Sequence, residues 1–312
     1  MLKSVKNIYV LIMNKIIYYY QTFIGLGKIL NQSPKVVTDI MISSIHFGNN
    51  LDGSPYIHLN DNIPYSKCFD ELWTETLLAS EKGIKIHLML GGAGGAFVDL
   101  FNNFDIYYRF LLELINEKKF ITGINLDIEE SIGLEKTIFL IKRLRKDLGS
   151  DFTISLAPVS FALVSNSPGL GGFSYNDLKN SEVGNEIDFL NGQFYGDFTF
   201  ETYDRIIKNN YNPEEIVIGM LGTNYNEITF KNACDEIRKI YAEYPDFCGA
   251  FLWEYCDSPT GETDPEKWAE LISQAMKKEK FKQDFIKFFE NIKNCFINLG
   301  NKIRDFFTDY NL

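Results

Sequence analysis

Residues 120–133 read FITGINLDIEESIG, and the alternation of apolar and polar side chains in this stretch predicts a β-strand. The alternating positions are Ile124, Asn125, Leu126, Asp127, Ile128 and Glu129. Successive side chains of a strand point to opposite faces, so one face is apolar and the other carries two carboxyl groups. A half-exposed strand would turn that polar face to water. Whether this strand does so depends on the fold, which the other strands of the chain predict.

Seven further apolar runs resemble strands, and most are followed by a turn and an amphipathic stretch. With the opening stretch they give eight predicted strands, at 15–23, 37–48, 83–92, 122–130, 152–160, 187–197, 214–223 and 248–257. Residues 97–118 and 133–149 are helix-like; the second has apolar side chains at steps of 3 and 4 and ends at Gly149. Strands that alternate with helices pair in parallel through right-handed crossovers.

Eight such units in one domain predict an α/β fold, a closed (β/α)8 TIM barrel. An open doubly wound sheet lacks support, because no GxGxxG opens a helix after the first strand. In a barrel, Ile124, Leu126 and Ile128 would pack under the helices. Asp127 and Glu129 would face the lumen near the C-terminal mouth, where barrel enzymes carry their chemistry. A buried polar network with a purely structural role is the alternative.

Other strand ends add compatible groups. In GQFYGD, Gln193 and Tyr195 share one face at the end of the sixth predicted strand, and in AFLWEY, Trp253 ends the eighth. A tryptophan at a barrel mouth is a suitable apolar platform for a sugar ring. Each of these side chains alone is more typical of a core, but together they favour a site.

Five motifs in order now resemble those of the family 18 glycoside hydrolases, the chitinases and their relatives. TGINLDIE (122–129) is similar to the family's DGxDxDxE strand, and MLGG (89–92) to its SxGG motif. QFYGD, FLWEY and IIYYYQ resemble three further strand segments of the family. The resemblance covers residues 14–276. It implies a retaining glycosidase in which the substrate's own N-acetyl group is the nucleophile.

Carried over to this chain, the resemblance implies three catalytic residues. Glu129 would protonate the leaving glycosidic oxygen and then act as the base for water. Asp127 would orient the N-acetyl group, whose carbonyl oxygen attacks the anomeric carbon, and would stabilise the oxazolinium charge. Tyr195 would donate a hydrogen bond to that carbonyl oxygen.

The resemblance also implies substrate-binding residues. Gln193 would lie beside Tyr195, and Trp253 would form the floor of the subsite. Asn125 belongs to the same lumenal face, and Tyr18 and Phe47, from the first two strands, complete the set. No metal or organic cofactor is implied, because the substrate supplies the nucleophile.

The chain departs from the family pattern at three positions: Thr122 and Asn125 stand where the motif has Asp, and Met89 where it has Ser. Asn125 matters most, because an amide cannot share a proton with Asp127 as a carboxyl can. We expect the Asn125 amide to donate to Asp127 and to lower the pKa of Asp127. That expectation implies a working but slow hydrolase.

Composition limits the remaining choices. The net charge of −11 argues against a general nucleic-acid footprint. The five cysteines show no metal-binding spacing and are interpreted as buried thiols, although a disulfide stays open. Lys3 and Lys6 precede a short apolar run without a small-residue cleavage site, so secretion is undecided and the compartment is left unknown.

We divide the chain into an N-terminal extension (1–13), a family 18-like barrel (14–276) and a basic tail (277–312). The tail repeats apolar side chains at helical spacing between lysines, so it could dock on the barrel, associate with itself or lie on a membrane surface. The predicted function is hydrolysis of β-1,4-linked N-acetylglucosamine polymers. The alternatives are an endo-β-N-acetylglucosaminidase acting on N-glycans and a sugar-binding protein without turnover.

Overall fold

A computed structural model describes residues 14–261 and 263–276 of the chain. It contains nine strands in these residues: β1 (Lys15–Tyr20), β2 (Asp39–Asn49), β3 (Pro55–Leu59), β4 (Lys85–Gly91), β5 (Ile121–Asp127), β6 (Thr153–Leu156), β7 (Phe189–Gln193), β8 (Ile216–Leu221) and β9 (Gly249–Trp253). Eight of them pair in parallel in the order β1-β9-β8-β7-β6-β5-β4-β2, and pairing of β1 with β2 closes the ring. The predicted (β/α)8 barrel with its eight strands is confirmed.

The ninth strand, β3, is not expected from the sequence. It pairs antiparallel with β2, so that β2 and β3 form a hairpin that extends beyond the ring at its C-terminal end. The pairing matches Ile45 with Leu59 and Asn49 with Pro55. Because parallel strand ends meet at one edge, this hairpin rises beside the mouth of the barrel.

Helices surround the barrel: α1 (Gly27–Leu30), α2 (Asp70–Glu81), α3 (Ala96–Asn102), α4 (Phe104–Glu117), α5 (Leu134–Leu148), α6 (Ser160–Val164), α7 (Tyr175–Lys179), α8 (Phe200–Lys208) and α9 (Glu227–Glu243), followed by helical residues at 266–276. The expected helix at 133–149 is α5. The helix-like stretch 97–118 is divided at Asn103 into α3 and α4. Where Asn226 begins α9, its side chain accepts from the backbone N–H groups of Ile228 and Thr229, which no helical carbonyl can reach.

Apolar side chains form two layers, one outside the barrel wall and one inside it. Ile124, Leu126 and Ile128 belong to the outer layer, under the helices, as the alternation of β5 predicts. The lumen holds a smaller group: Ile17, Tyr19, Met41, Met89, Phe189, Val217 and Phe251. The interior is therefore filled by side chains, and the space above this group lies at the mouth.

The opposite end of the lumen holds a buried charge network. Asp39 lies 2.9 Å from Nε2 of His87 and 3.4 Å from Nζ of Lys15. Burial opposes ionisation of Asp39, but the His87 hydrogen bond and the Lys15 charge outweigh it and hold the pKa of Asp39 well below its usual range. This network anchors β1, β2 and β4 at the end of the barrel away from the mouth.

The N-terminal extension and the basic tail lie outside the described residues, as does Cys295. The four cysteines of the described part form no disulfide with one another. Cys234 is buried, as the sequence suggests, whereas Cys68 is exposed. No helix in that part has the length and apolarity needed to cross a membrane.

Candidate active site

The end of β5 brings Asp127 and Glu129 to the mouth of the barrel. Asp127 is the last residue of the strand and is 6% exposed, whereas Glu129, two residues further on, is more accessible. Both side chains line a cavity of about 950 Å³ that opens at the mouth. Such a volume is at the upper end for small-molecule sites and can hold several sugar units.

Two glycines at the end of β4 allow the backbone to turn tightly beside Asp127. Gly91 has a φ of +98°, and a Cβ there would lie 2.4 Å from the backbone oxygen of Asp127. The backbone N–H of Gly92 donates to that same oxygen at 2.9 Å. Both glycines of MLGG have positive φ, and Gly91 also lies too close to the Asp127 backbone for a Cβ, so the motif requires glycine at these positions.

Asp127 is held by the end of β7. Nε2 of Gln193 donates both to Oδ1 of Asp127 at 3.0 Å and to the carbonyl of Ala157 at 2.8 Å, so the amide is fixed between two acceptors. Burial, followed by the charges of Glu129 and Glu130, raises the pKa of Asp127 well above its usual value, although the Gln193 hydrogen bond acts in the opposite direction. The lumen therefore favours a protonated Asp127.

The structure corrects the expectation for Asn125. Asn125 is fully buried in the lumen, but its Nδ2 donates to Oγ of Ser155 at 2.9 Å and not to Asp127. Its Oδ1 accepts from the Tyr19 hydroxyl at 2.9 Å, and that hydroxyl accepts from Nδ2 of Asn191 at 2.8 Å. The predicted lowering of the Asp127 pKa by Asn125 is therefore wrong, because the amide is committed to a neutral network below the carboxyl pair.

Tyr195 and Trp253 stand on the β7–β9 side of the same cavity. Burial, followed by the charges of Tyr19, Asp127 and Glu129, raises the pKa of the Tyr195 phenol well above its usual value, so it remains a hydrogen-bond donor. The Trp253 ring is half-buried and lies 5.3 Å, centroid to centroid, from the ring of Tyr19. Tyr19 and Phe251 thus support Trp253 from below.

Tyr18 does not face the lumen, so its predicted role in substrate binding is wrong. Its ring is fully buried in the outer layer, 5.1 Å from the ring of Trp268. Its hydroxyl donates to the carbonyl of Pro265 and accepts from the backbone N–H of Ala269. The lumenal tyrosine of β1 is Tyr19, one residue further on. The sequence does not distinguish the two, because the run IIYYY has no apolar–polar alternation that would identify its faces.

Phe47 lines the cavity from β2 but is 3% exposed and packs on Tyr107, at a centroid distance of 5.1 Å. Met89 is a lumenal side chain that reaches the same cavity next to Gly92. Thr122 is exposed at the other end of β5, far from the mouth. Of the motif departures, Thr122 is therefore remote from the site, and Asn125 and Met89 are part of its support and lining.

The sequence does not reveal the anchor of the loop after β1. Oε2 of Glu254 accepts from the backbone N–H groups of Gln21 and Thr22, at 2.7 and 2.8 Å, and its Oε1 accepts from the Thr22 hydroxyl. Gln21 and Thr22 line the cavity, so Glu254 fixes part of its rim. Glu254 adjoins Trp253 in FLWEY, where no pattern distinguishes it from an exposed acid, yet it is buried. Among the described residues, no group of His, Cys, Asp and Glu is arranged to hold a metal ion.

The fold and this arrangement of carboxyl groups define a glycoside hydrolase on a (β/α)8 barrel, and solved structures agree. A fungal endo-β-N-acetylglucosaminidase from glycosyl hydrolase family 18 is 32% identical, with 84% of this chain and 98% of that chain covered and a TM-score of 0.76. The chitinase ChiC from Aspergillus fumigatus is 30% identical over 84% of this chain and 99% of its own, with a TM-score of 0.71. A family 18 chitinase from Pseudoalteromonas aurantia shares the fold at 21% identity and a TM-score of 0.67.

The chain belongs to glycoside hydrolase family 18. No protein-family model and no curated protein matches it.

Proposed function

We propose that this chitinase-like glycosidase hydrolyses β-1,4-linked N-acetylglucosamine polymers by a substrate-assisted, retaining mechanism. The observation that carries the proposal is a buried Asp127 next to Glu129 in a cavity that also presents Tyr195 and Trp253. Burial, followed by the charges of Glu129 and Glu130, raises the pKa of Asp127. Two related enzymes are a chitinase and an endo-β-N-acetylglucosaminidase, and both names refer to N-acetylglucosamine linkages.

In this mechanism Glu129 donates a proton to the leaving glycosidic oxygen. The carbonyl oxygen of the substrate's 2-acetamido group attacks the anomeric carbon as that bond breaks, which forms an oxazolinium ion. Glu129, now a carboxylate, removes a proton from water, and the water oxygen attacks the anomeric carbon and opens the oxazolinium ring. This step restores the 2-acetamido group and the protonated form of Glu129. A positioned general acid and base of this kind contributes typically 10²–10⁴-fold to the rate.

Asp127 serves the same cycle as a store of one proton. Its raised pKa keeps a proton on Asp127 itself, beside the Glu129 that protonates the leaving group. As the oxazolinium forms, the Asp127 proton shifts toward the Glu129 carboxylate that has just lost its own proton, and the negative charge left on Asp127 stabilises the oxazolinium electrostatically. The proton returns to Asp127 as Glu129 takes up a proton from water. This account does not require an acid at position 125, so the slow turnover inferred from Asn125 loses its reason.

The alternative substrate is the chitobiose core of an N-linked glycan. The identity of 32% to the fungal endo-β-N-acetylglucosaminidase favours it specifically, and both substrates present the same linkage to Glu129. A sugar-binding protein without turnover is the weaker alternative, because Glu129 and Asp127 are both retained.

The deciding experiment incubates the protein with N-acetylglucosamine oligomers and with an N-linked glycoprotein, and identifies the products by mass. We expect Glu129→Gln to lower turnover by about 10²-fold or more while the sugar still binds, because glutamine keeps the shape and loses the acid. An oligosaccharide of the same linkage without 2-acetamido groups should resist cleavage. A Glu129→Gln variant with wild-type turnover would contradict the mechanism.

A further inference from the structure

The hairpin of β2 and β3 has one apolar face and one polar face. Ile45 and Phe47 of β2, with Ile57 and Leu59 of β3, pack into the outer core. The residues that alternate with them line the cavity at the mouth: Ser44, His46, Gly48, Tyr56, His58 and Asn60. The polar face of this hairpin does not point outward to bulk solvent. It forms one wall of the cavity that contains Asp127 and Glu129.

Tyr56 lies across the neighbouring strand at Gly48, its cross-strand partner. A Cβ on Gly48 would lie 2.7 Å from the Tyr56 hydroxyl and 2.8 Å from its Cζ. Only a residue without a side chain therefore lets this ring lie over the strand. The ring stays half-exposed, so part of its surface is open to a ligand.

Two of the chain's three histidines lie on the same face, His58 beside this ring and His46 across from His58. His46 and His58 are direct cross-strand partners with ring centroids 6.1 Å apart, and His58 meets Tyr56 edge-on at 4.7 Å. Nε2 of His46 lies 3.1 Å from Oγ of Ser44. Burial, followed by the His58 charge, lowers the pKa of His46 against the opposing effect of Asp99, so the imidazole is neutral at neutral pH.

The wall is fixed to the rest of the site. Oδ1 of Asn60 accepts from the backbone N–H of Ser44, and its Nδ2 donates to the carbonyl of Gln21, in the loop that Glu254 anchors. A half-exposed aromatic ring beside hydrogen-bonding side chains that are themselves held in place is suited to bind a sugar unit. Rigid support reduces the entropy that binding must overcome.

We propose that the polar face of the β2–β3 hairpin is a distal sugar subsite, with Tyr56 as its platform and His46 and His58 as hydrogen-bonding partners. The proposal rests on the saccharide substrate proposed above. It predicts that affinity increases with oligomer length until a sugar unit reaches the hairpin. An oligomer that occupies only the space between Trp253 and Glu129 gains nothing from Tyr56.

The experiment measures affinities of N-acetylglucosamine oligomers of two to six units by calorimetry in the Glu129→Gln background. Tyr56→Ala should reduce the gain in affinity between short and long oligomers about fivefold, as expected for the loss of one aromatic contact. Gly48→Ala should cause a similar reduction, because its Cβ displaces the ring. Since both changes remove the same contact, the double variant should lose no more than either one alone.

Tyr65→Ala is the matched control, because Tyr65 is an exposed tyrosine that does not line the cavity, and it should leave every affinity unchanged. His58→Gln, which cannot disturb the glycine contact, should also reduce the length-dependent gain. If Tyr56→Ala and His58→Gln both leave affinity rising with oligomer length as in the parent, the Glu129→Gln variant, the hairpin is not a subsite. If the parent binds no oligomer of any length and the wild type cleaves none, the proposed function has failed instead.

Discussion

Asp127 combines two properties that seldom occur together in a stable protein: it is buried, and acidic side chains are its charged neighbours. Burial and the charge of Glu129 both favour its protonated form, and the neutral Gln193 amide opposes them only in part. A carboxyl in this setting costs stability whenever it ionises. Its presence therefore indicates selection for chemistry at the expense of stability.

Asp127→Asn should therefore stabilise the protein at pH 8. A raised carboxyl pKa contributes stability below the unfolded-state pKa of about 3.9, and this contribution is lost as the pH rises through the folded-state pKa. Asparagine keeps an oxygen for Gln193 and does not ionise. We expect a gain in the free energy of unfolding at pH 8 that disappears near pH 4.

Urea unfolding across this pH range measures that difference, with activity recorded in parallel. Asp151→Asn, at an exposed turn, is the control and should give no pH-dependent gain. A destabilised Asp127→Asn at pH 8 would mean that Asp127 is ionised and favourably paired in the folded protein.

Asn125→Asp should not increase turnover. The carboxyl has no N–H to donate to Ser155, and the Ser155 hydroxyl would have to leave its acceptor, the carbonyl of Ile124, to satisfy it. We expect a loss of about 1–3 kcal/mol in the free energy of unfolding at neutral pH and turnover within about threefold of wild type. A rise of tenfold or more on N-acetylglucosamine oligomers would restore the view that an acid is needed at 125.

At this scale the sequence predicts the faces of β5 but not the partners of its side chains. Alternation in NLDIE is sufficient to put Asn125 and Asp127 on one face. The Tyr19 hydroxyl that donates to Asn125 comes from β1, and the Asn191 amide that donates to this hydroxyl comes from β7. These hydrogen bonds therefore depend on the registers of strands that are distant in sequence. The sequence points to Tyr18 in place of Tyr19 for the related reason that an all-apolar run does not define its own faces.

At the scale of elements, the β4 end shows why the GG pair is needed. Gly91→Ala should lower the free energy of unfolding by about 2–4 kcal/mol and reduce activity, because positive φ and contacts with the Asp127 backbone and the Phe97 ring penalise a Cβ. Gly95→Ala is the matched control: Gly95 has a φ of +82°, but a Cβ there would have no atom within 4 Å, so it should cost only about 1–2 kcal/mol. Equal losses in the two variants would show that the close contacts of Gly91 with Asp127 and Phe97 are unimportant.

The β2–β3 hairpin is the element that sequence reasoning misses. YIHL is short and begins after a proline, and eight other runs already suffice for a closed barrel. The alternation of Tyr56 and His58 with Ile57 and Leu59 is nevertheless present in the sequence and is the signal of a strand with one polar face. What the sequence cannot supply is that this polar face turns toward the cavity.

For the whole molecule, the count of strands is sufficient to predict the closed barrel. Eight apolar runs separated by helix-length segments leave few alternatives once a dinucleotide fingerprint is absent. The boundary between barrel and tail at 276/277 stays a prediction, since the tail lies outside the described residues. Ala275 and Met276 are still buried in the outer layer, so a truncation that tests this boundary should keep residue 276.

Deleting residues 277–312 should leave a folded barrel that binds sugar. The ring closes through β1, β2 and β9 without the tail, and the buried side chains of 266–276 complete the outer layer beside β1. We expect the Tm to shift by less than about 2 °C, which corresponds to under about 1 kcal/mol for a barrel of this size. Calorimetry and oligosaccharide binding measure the two outcomes.

A deeper deletion, of residues 266–312, is the matched comparison and should abolish cooperative unfolding. It removes Trp268, which is fully buried against Tyr18, and the Ala269 backbone N–H that donates to the Tyr18 hydroxyl. The loss of a buried tryptophan alone costs about 3–5 kcal/mol. If the shorter deletion is as damaging as the deeper one, the tail contributes to the core and the boundary at 276/277 is wrong.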